Sequence, residues 1–192
     1  MDQIKSNRND DPAILVEKTQ AGDREAFREI VRLYQQKVFV LAYSFFRNRE
    51  DALDIVQDTF LRLHEKIRMF EKGRNFQGWL LQIAKNLCVD YYRKNYSRRK
   101  ELESEKNLDE LSPAAPGDPA GQALDLKEPL SRCLERLAKQ QRTIFVLKHF
   151  NELQYNEIAQ VLNISVGTVK SLHYKAVQNL RKHLTPYLGV QG

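Results

Sequence analysis

The stretch LSPAAPGDPAGQA, residues 111–123, constrains what this 192-residue chain can fold into more than any other feature. It holds three prolines and two glycines, and Leu111 is its one large apolar side chain. A segment of that composition buries too little surface to offset the entropy of ordering it, so it reads as a linker. The chain on either side must then fold as separate modules. The expected organisation is a disordered tail over residues 1–20, a first domain over 21–100, a linker over 101–126, a second domain over 127–186 and a tail over 187–192.

Apolar residues on both sides recur at helical spacing. Phe27, Ile30, Val31, Tyr34 and Val38 repeat at three and four residues, as do Ala52, Val56, Phe60, Leu63 and Ile67, and later Leu134, Leu137 and Ile144. No stretch alternates as a strand would. The expected fold class is all-α, with two small helical domains on a flexible acidic tether. Charge follows the same division. Residues 1–100 hold 20 Lys/Arg against 14 Asp/Glu, residues 101–128 hold 2 against 8, and residues 129–192 hold 9 against 3. Two basic blocks thus flank an acidic one, and a basic surface favours polyanions such as nucleic acid. Cys88 and Cys133 form no CxxC pair and read as small core residues, which fits a reducing cytoplasm. The longest apolar run, VFVLAY at 38–43, is too short to span a bilayer.

The stretch EIAQVLNISVGTVKSLHYKA, residues 157–176, breaks one helix and restarts another. Asn163 tolerates the left-handed backbone that ends a helix, and Ser165 is a good N-cap for the next. Ile164 is expected to pack into the corner, so the two helices meet steeply as in a helix-turn-helix. On the second helix Val169, Leu172, Ala176 and Leu180 share one side, with His173 at its edge as a packing residue. Ser165, Gly167, Thr168, Lys170, Ser171, Tyr174, Lys175 and Gln178 present a small, polar and cationic face. Short side chains permit close approach to a major groove, cations neutralise phosphates, and hydroxyls and amides meet base edges. Gly167 is costly in a first turn unless DNA backbone or another helix comes close.

Residues 137–184, with NREDALDIVQDTFLRLHEKI (48–67) and FQGWLLQIAKNLCVDYYRK (76–94), resemble sigma factors of RNA polymerase, in the extracytoplasmic-function (ECF) group of the sigma-70 family. The resemblance implies that Asp54, Gln57 and Asp58 match a polymerase-binding helix, offering two carboxylates and an amide to a basic partner helix. It also implies that the loop before Trp79 and the helix after it hold the melted minus-ten element. Stacking surfaces would come from Phe76, Tyr91 and Tyr92, cations from Arg74, Lys85, Arg93 and Lys94, and a base-directed amide from Asn86. Trp79 reads as core, and Asp90 as an acid that orients a neighbouring Arg. The second domain would read the minus-thirty-five element. Leu172 stands where the family often has Arg, and His173 where it commonly has leucine, so the promoter sequence cannot be carried over.

The implied function is promoter-directed transcription initiation. The implied partners are core RNA polymerase (the clamp of the largest subunit and the flap of the second-largest), promoter DNA and an anti-sigma factor. No nucleophile–base pair, P-loop or HExxH appears, so no enzymatic activity, cofactor, metal or small-molecule substrate is expected. A cytoplasmic location is expected, with retention at the inner membrane face by an anti-sigma factor as a further implication. The resemblance also implies that the acidic linker occupies a basic nucleic-acid channel until RNA displaces it. The alternative is a stand-alone helix-turn-helix regulator that binds duplex DNA as a dimer.

Overall fold

A computed structural model describes residues 11–102 and 128–185. Among these residues there are helices and turns and no strand. Helix α1 (Pro12–Gln20) starts where Asp11 accepts from the Ala13 amide at 2.9 Å and Pro12 presets the first turn. The sequence reading placed residues 12–20 in a tail. They form a helix because Leu15, Val16 and Thr19 bury against the next helix, a stripe too short to register as periodic. Helix α2 (Arg24–Phe46) is capped by Asp23 and ends at Arg47, whose backbone is left-handed (φ 56°). Asn48 then caps α3 (Arg49–Lys66), accepting from Asp51 N at 3.0 Å, so a two-residue connection turns the chain back on itself. A 3₁₀ turn (Ile67–Met69) and the 70–75 loop lead into α4 (Phe76–Leu102).

The second module holds α5 (Glu128–Glu135), α6 (Lys139–His149), α7 (Tyr155–Leu162) and α8 (Val166–Leu184). Ile30, Leu41, Leu63, Leu80 and Leu81 are fully buried in the first module, and Ile144, Leu147, Ile158 and Val169 in the second. Each such side chain is worth roughly 1.5–3 kcal/mol relative to exposure. Cys88 and Cys133 are both buried free thiols, and burial pushes Cys88 up to about 12. Of the expected linker over 101–126, residues 101 and 102 close α4 and the rest lies outside the described residues, as does the expected tail over 187–192.

The two modules pack on each other along a seam of α2 against α6 and α4 against α7. Arg142, only 8% exposed, donates from Nε to the Ser44 carbonyl at 2.8 Å. Beside it the Ser44 and Thr143 hydroxyls lie 3.3 Å apart. Buried Asn151 donates to the Lys37 carbonyl at 3.0 Å, and its own carbonyl accepts from Gln77. The Lys139 ammonium sits 4.7 Å from the Phe45 ring and 4.0 Å from the Tyr92 ring. Apolar contact continues across the seam, with Val146 packing into the cluster of Phe39, Tyr43 and Cys88. Carbonyls, hydroxyls and a guanidinium that burial brings down to about 10 share the seam with an apolar cluster that runs through both modules, and the Asn151 Oδ1 has no partner among the described residues. Polar groups of this kind find water as a substitute partner when such a seam is separated.

Candidate polymerase and nucleic-acid interfaces

The helix-turn-helix is built as its sequence demands. Gln154 and Glu157 form a capping box that starts α7, with the Gln154 amide donating to Glu157 Oε2 at 2.6 Å. Asn163 ends α7 in the left-handed region (φ 55°, ψ 51°), and Ser165 caps α8 by accepting from Thr168 N at 3.0 Å. Ile164 differs from expectation. It is 36% exposed, because its backbone amide, bonded to the Ala159 carbonyl at 3.1 Å, makes the corner without help from its side chain.

On α8 the inward side is Val169, Ala176 and Leu180. Ser165, Gly167, Thr168, Lys170, Ser171, Tyr174 and Lys175 are exposed together, with Gln178 half-buried at the far end. Tyr174 stands 65% exposed in the middle of that face. A Cβ added at Gly167 would meet only the Ser165 hydroxyl, at 3.7 Å. No neighbouring helix among the described residues therefore explains this glycine.

The eight residues assigned to strand binding are strung along α4 and its approach, and do not form one pocket. From Phe76 to Tyr92 the helix rises about 24 Å at 1.5 Å per residue. Phe76 is a correction: it is 6% exposed, edge-on to Tyr34 and Phe70 and near Trp79, so it is core and offers no face to a base. Its position, the first residue of α4, sets it over the apolar centre of the first module. Arg74 lies beside Glu71 at 3.6 Å. Asn86 is exposed and accepts from the half-buried Lys85 at 3.3 Å. Tyr91 is half-buried and donates its hydroxyl to Asp51. Tyr92, Arg93 and Lys94 are exposed, Arg93 beside Asp90 at 4.0 Å. The remaining flat surface, Tyr92, is partly covered across the seam by Lys139.

On α3, Asp54, Gln57 and Asp58 are exposed side by side. Two residues of this face escaped the sequence reading: Leu53 is 46% and Leu61 58% exposed. They lie four residues before and after Gln57, off the buried stripe of Ala52, Ile55, Thr59 and Leu63. That spacing was the available signal. An apolar pair around two acids and an amide is a composition suited to a protein partner, with burial from the leucines and orientation from the charges.

These faces sit within regions shared with known proteins. The family described as Sigma-70 region 2 matches residues 30–98, and Sigma-70, region 4 matches residues 127–180. The chain is 35% identical over 176 residues to the ECF RNA polymerase sigma factor SigW of Bacillus subtilis (strain 168), covering 88% of this chain and 94% of the relative. Among solved structures it is similar to CnrH in complex with the cytosolic domain of CnrY (TM-score 0.64, 25% identity, 91% of this chain and 97% of that one). It is also similar to the sigma factor RpoE in complex with the anti-sigma factor NepR from Bartonella quintana (TM-score 0.63, 26% identity, 83% and 96%). A stand-alone duplex-binding regulator leaves the match over residues 30–98 without a role and is not favoured.

Proposed function

The chain belongs to the ECF group of RNA polymerase sigma factors, proteins that bind core polymerase and direct it to promoters, and on that footing we propose how its residues divide the work. Asp54, Gln57 and Asp58, with Leu53 and Leu61, seat α3 on a basic element of the polymerase clamp. Asn86 and Tyr92, with the cations Arg74, Lys85, Arg93 and Lys94, follow the melted minus-ten strand along α4. Tyr91 braces this stretch through Asp51. The α8 face from Ser165 to Gln178 enters the major groove of the minus-thirty-five element. The observation that carries this reading is that one chain presents three unlike exposed faces, acidic–apolar on α3, aromatic–basic on α4 and small–cationic on α8.

The protein acts by positioning, and the chemistry of RNA synthesis belongs to the polymerase. Among the described residues no helix is long and apolar enough to cross a membrane. We assign the protein to the cytoplasm, where an anti-sigma factor holds the two modules closed and where such a partner can keep it near the membrane.

Opening follows from distance. Two elements about 25 base pairs apart lie about 85 Å apart at about 3.4 Å per pair. A compact fold of this size has a radius of gyration of about 16 Å, so the closed pair reaches only one element at a time. The 25 residues between Leu102 and Glu128 have a contour of about 85 Å, enough for the modules to part.

Paired variants test the division of labour. Asn86→Ala should weaken strand opening, read by permanganate reactivity, while leaving the closed complex intact. Gly167→Ala should do the reverse. Alanine is the better helix former and fits the space at Gly167, so the fold keeps or gains stability, yet a methyl on the groove-facing surface weakens upstream duplex binding. Identical defects in the two variants would contradict the assignment.

A further inference from the structure

His173 occupies a place on α8 where the other inward residues are Val169, Leu172, Ala176 and Leu180. It is held there by polar contacts. Its Nε2 lies 2.9 Å from Nε2 of His149 at the end of α6, and its Nδ1 lies 3.1 Å from the hydroxyl of Tyr155, the first residue of α7. The two imidazoles stack with centroids 5.1 Å apart, and Phe145 covers His149 at 4.3 Å. One chain of three side chains thus ties α6, α7 and α8 together at the root of the exposed face.

We propose that His149, His173 and Tyr155 form a hydrogen-bonded relay that positions the recognition helix α8, and that protonation opens it, making upstream-element recognition acid-labile. The proposal rests on the reading of α8 as the duplex-binding helix. Lys170, Ser171 and Tyr174 sit within three residues of His173, so a helix that shifts at His173 misplaces the side chains proposed to meet bases.

The geometry sets the proton count. Two ring nitrogens at 2.9 Å hold one proton between them, one donating and the other accepting. A fully protonated pair would set two N–H donors head to head, and that contact must break. The surroundings oppose proton uptake from each side. On α6, Lys148 acts on both rings, its ammonium bonded to the Leu153 carbonyl at 3.2 Å and lying 5.0 Å from the Tyr155 ring. From α7 the facing titratable group is Tyr155, and along α8 itself the neighbours are Lys170, Tyr174 and Lys175. Burial first, then Lys148, holds His149 below the ordinary imidazole value of 6.5; burial, His149 and Lys148 hold His173 below it.

The sign follows directly. The folded module binds fewer protons than the unfolded chain near pH 6, so the relay's stabilisation is complete above about pH 6.5 and is lost as pH falls below it through the folded values. A histidine standing free near phosphate does the opposite, gaining charge in acid and binding DNA more tightly. The direction of the pH effect therefore separates the two roles.

The test uses the holoenzyme at fixed ionic strength. Binding to a duplex carrying the minus-thirty-five element is measured relative to a forked template lacking it, at pH 7.5 and 5.5. The native protein should lose several-fold in that ratio on acidification, the direction set by two imidazoles held below their ordinary value. His173→Leu, which restores an apolar residue, should show a flat profile, and Tyr155→Phe a shallower one than native. NMR of the full chain should show His149 and His173 titrating below 6.5 and together. A native ratio that holds or rises in acid, or an equal fall in a folded His173→Leu, would overturn the proposal. Failure of every protein to prefer the minus-thirty-five duplex at pH 7.5 would instead strike the reading of α8.

Discussion

The double variant Asp54→Lys, Asp58→Lys loses at least about 100-fold in affinity for core RNA polymerase and yields no promoter-specific transcripts, while keeping its helical content and melting temperature. The expected fold survives because both carboxylates are exposed and neither has a side-chain partner among the described residues. Nothing inside the module depends on them. The expected loss is large because reversing two charges against a basic surface removes attraction and adds repulsion, and a broken charge pair at an interface costs 2–5 kcal/mol or more. Leu61→Ala, which removes a 58% exposed side chain beside them, should weaken core binding less and leave the salt dependence unchanged. The double variant should remove much of that dependence. Competition with native protein for a fixed amount of core measures all three. Native-like competition by the double variant would mean that α3 is not the docking surface.

A covalent lock across the seam should have an all-or-none effect. The Ser44 and Thr143 hydroxyls lie 3.3 Å apart, one on α2 and the other on α6. Ser44→Cys with Thr143→Cys places two sulfurs where a disulfide can close. Cys88 and Cys133 are buried and do not compete. The oxidised protein should support no transcription from a promoter that needs both elements, and dithiothreitol should restore it. Reduced double variant and oxidised single variants should behave as native. Full transcription by the oxidised protein, with the bridge verified by mass, would show that the modules read promoters without parting.

Much of this was legible in the residues, and the failures share a cause. Asn163 and Ser165 announced the corner of the helix-turn-helix because backbone conformation and capping are local properties, decided within four residues. The exposed face of α8 followed from helical periodicity in the same way, whereas Asp54, Gln57 and Asp58 on α3 were marked by the family resemblance. Phe76 was misjudged because an aromatic at a helix start gives no local sign of which way it faces, and Tyr34 from α2, with Phe70 from the preceding loop, decides that it is core. The α1 helix was missed because its stripe spans a single turn and a half. The seam was invisible for a stronger reason. Nothing local to Arg142 or Asn151 marks them as buried, and their burial depends on carbonyls of Ser44 and Lys37 that lie about 100 residues away in the chain. The relay of His149, Tyr155 and His173 had the same origin. His173 was read as a packing residue, and its two polar partners come from different helices.

The most direct measurement is the distance between one fluorophore on α3 and another on α8, in the free protein and in the holoenzyme bound to a promoter. The labels should lie within about 40 Å in the free protein, as one compact fold requires. They should part to beyond about 60 Å when the elements are engaged. Equal distances in the two states, in complexes that still initiate at the correct start, would contradict the claim that two modules separate to touch different stretches of one promoter.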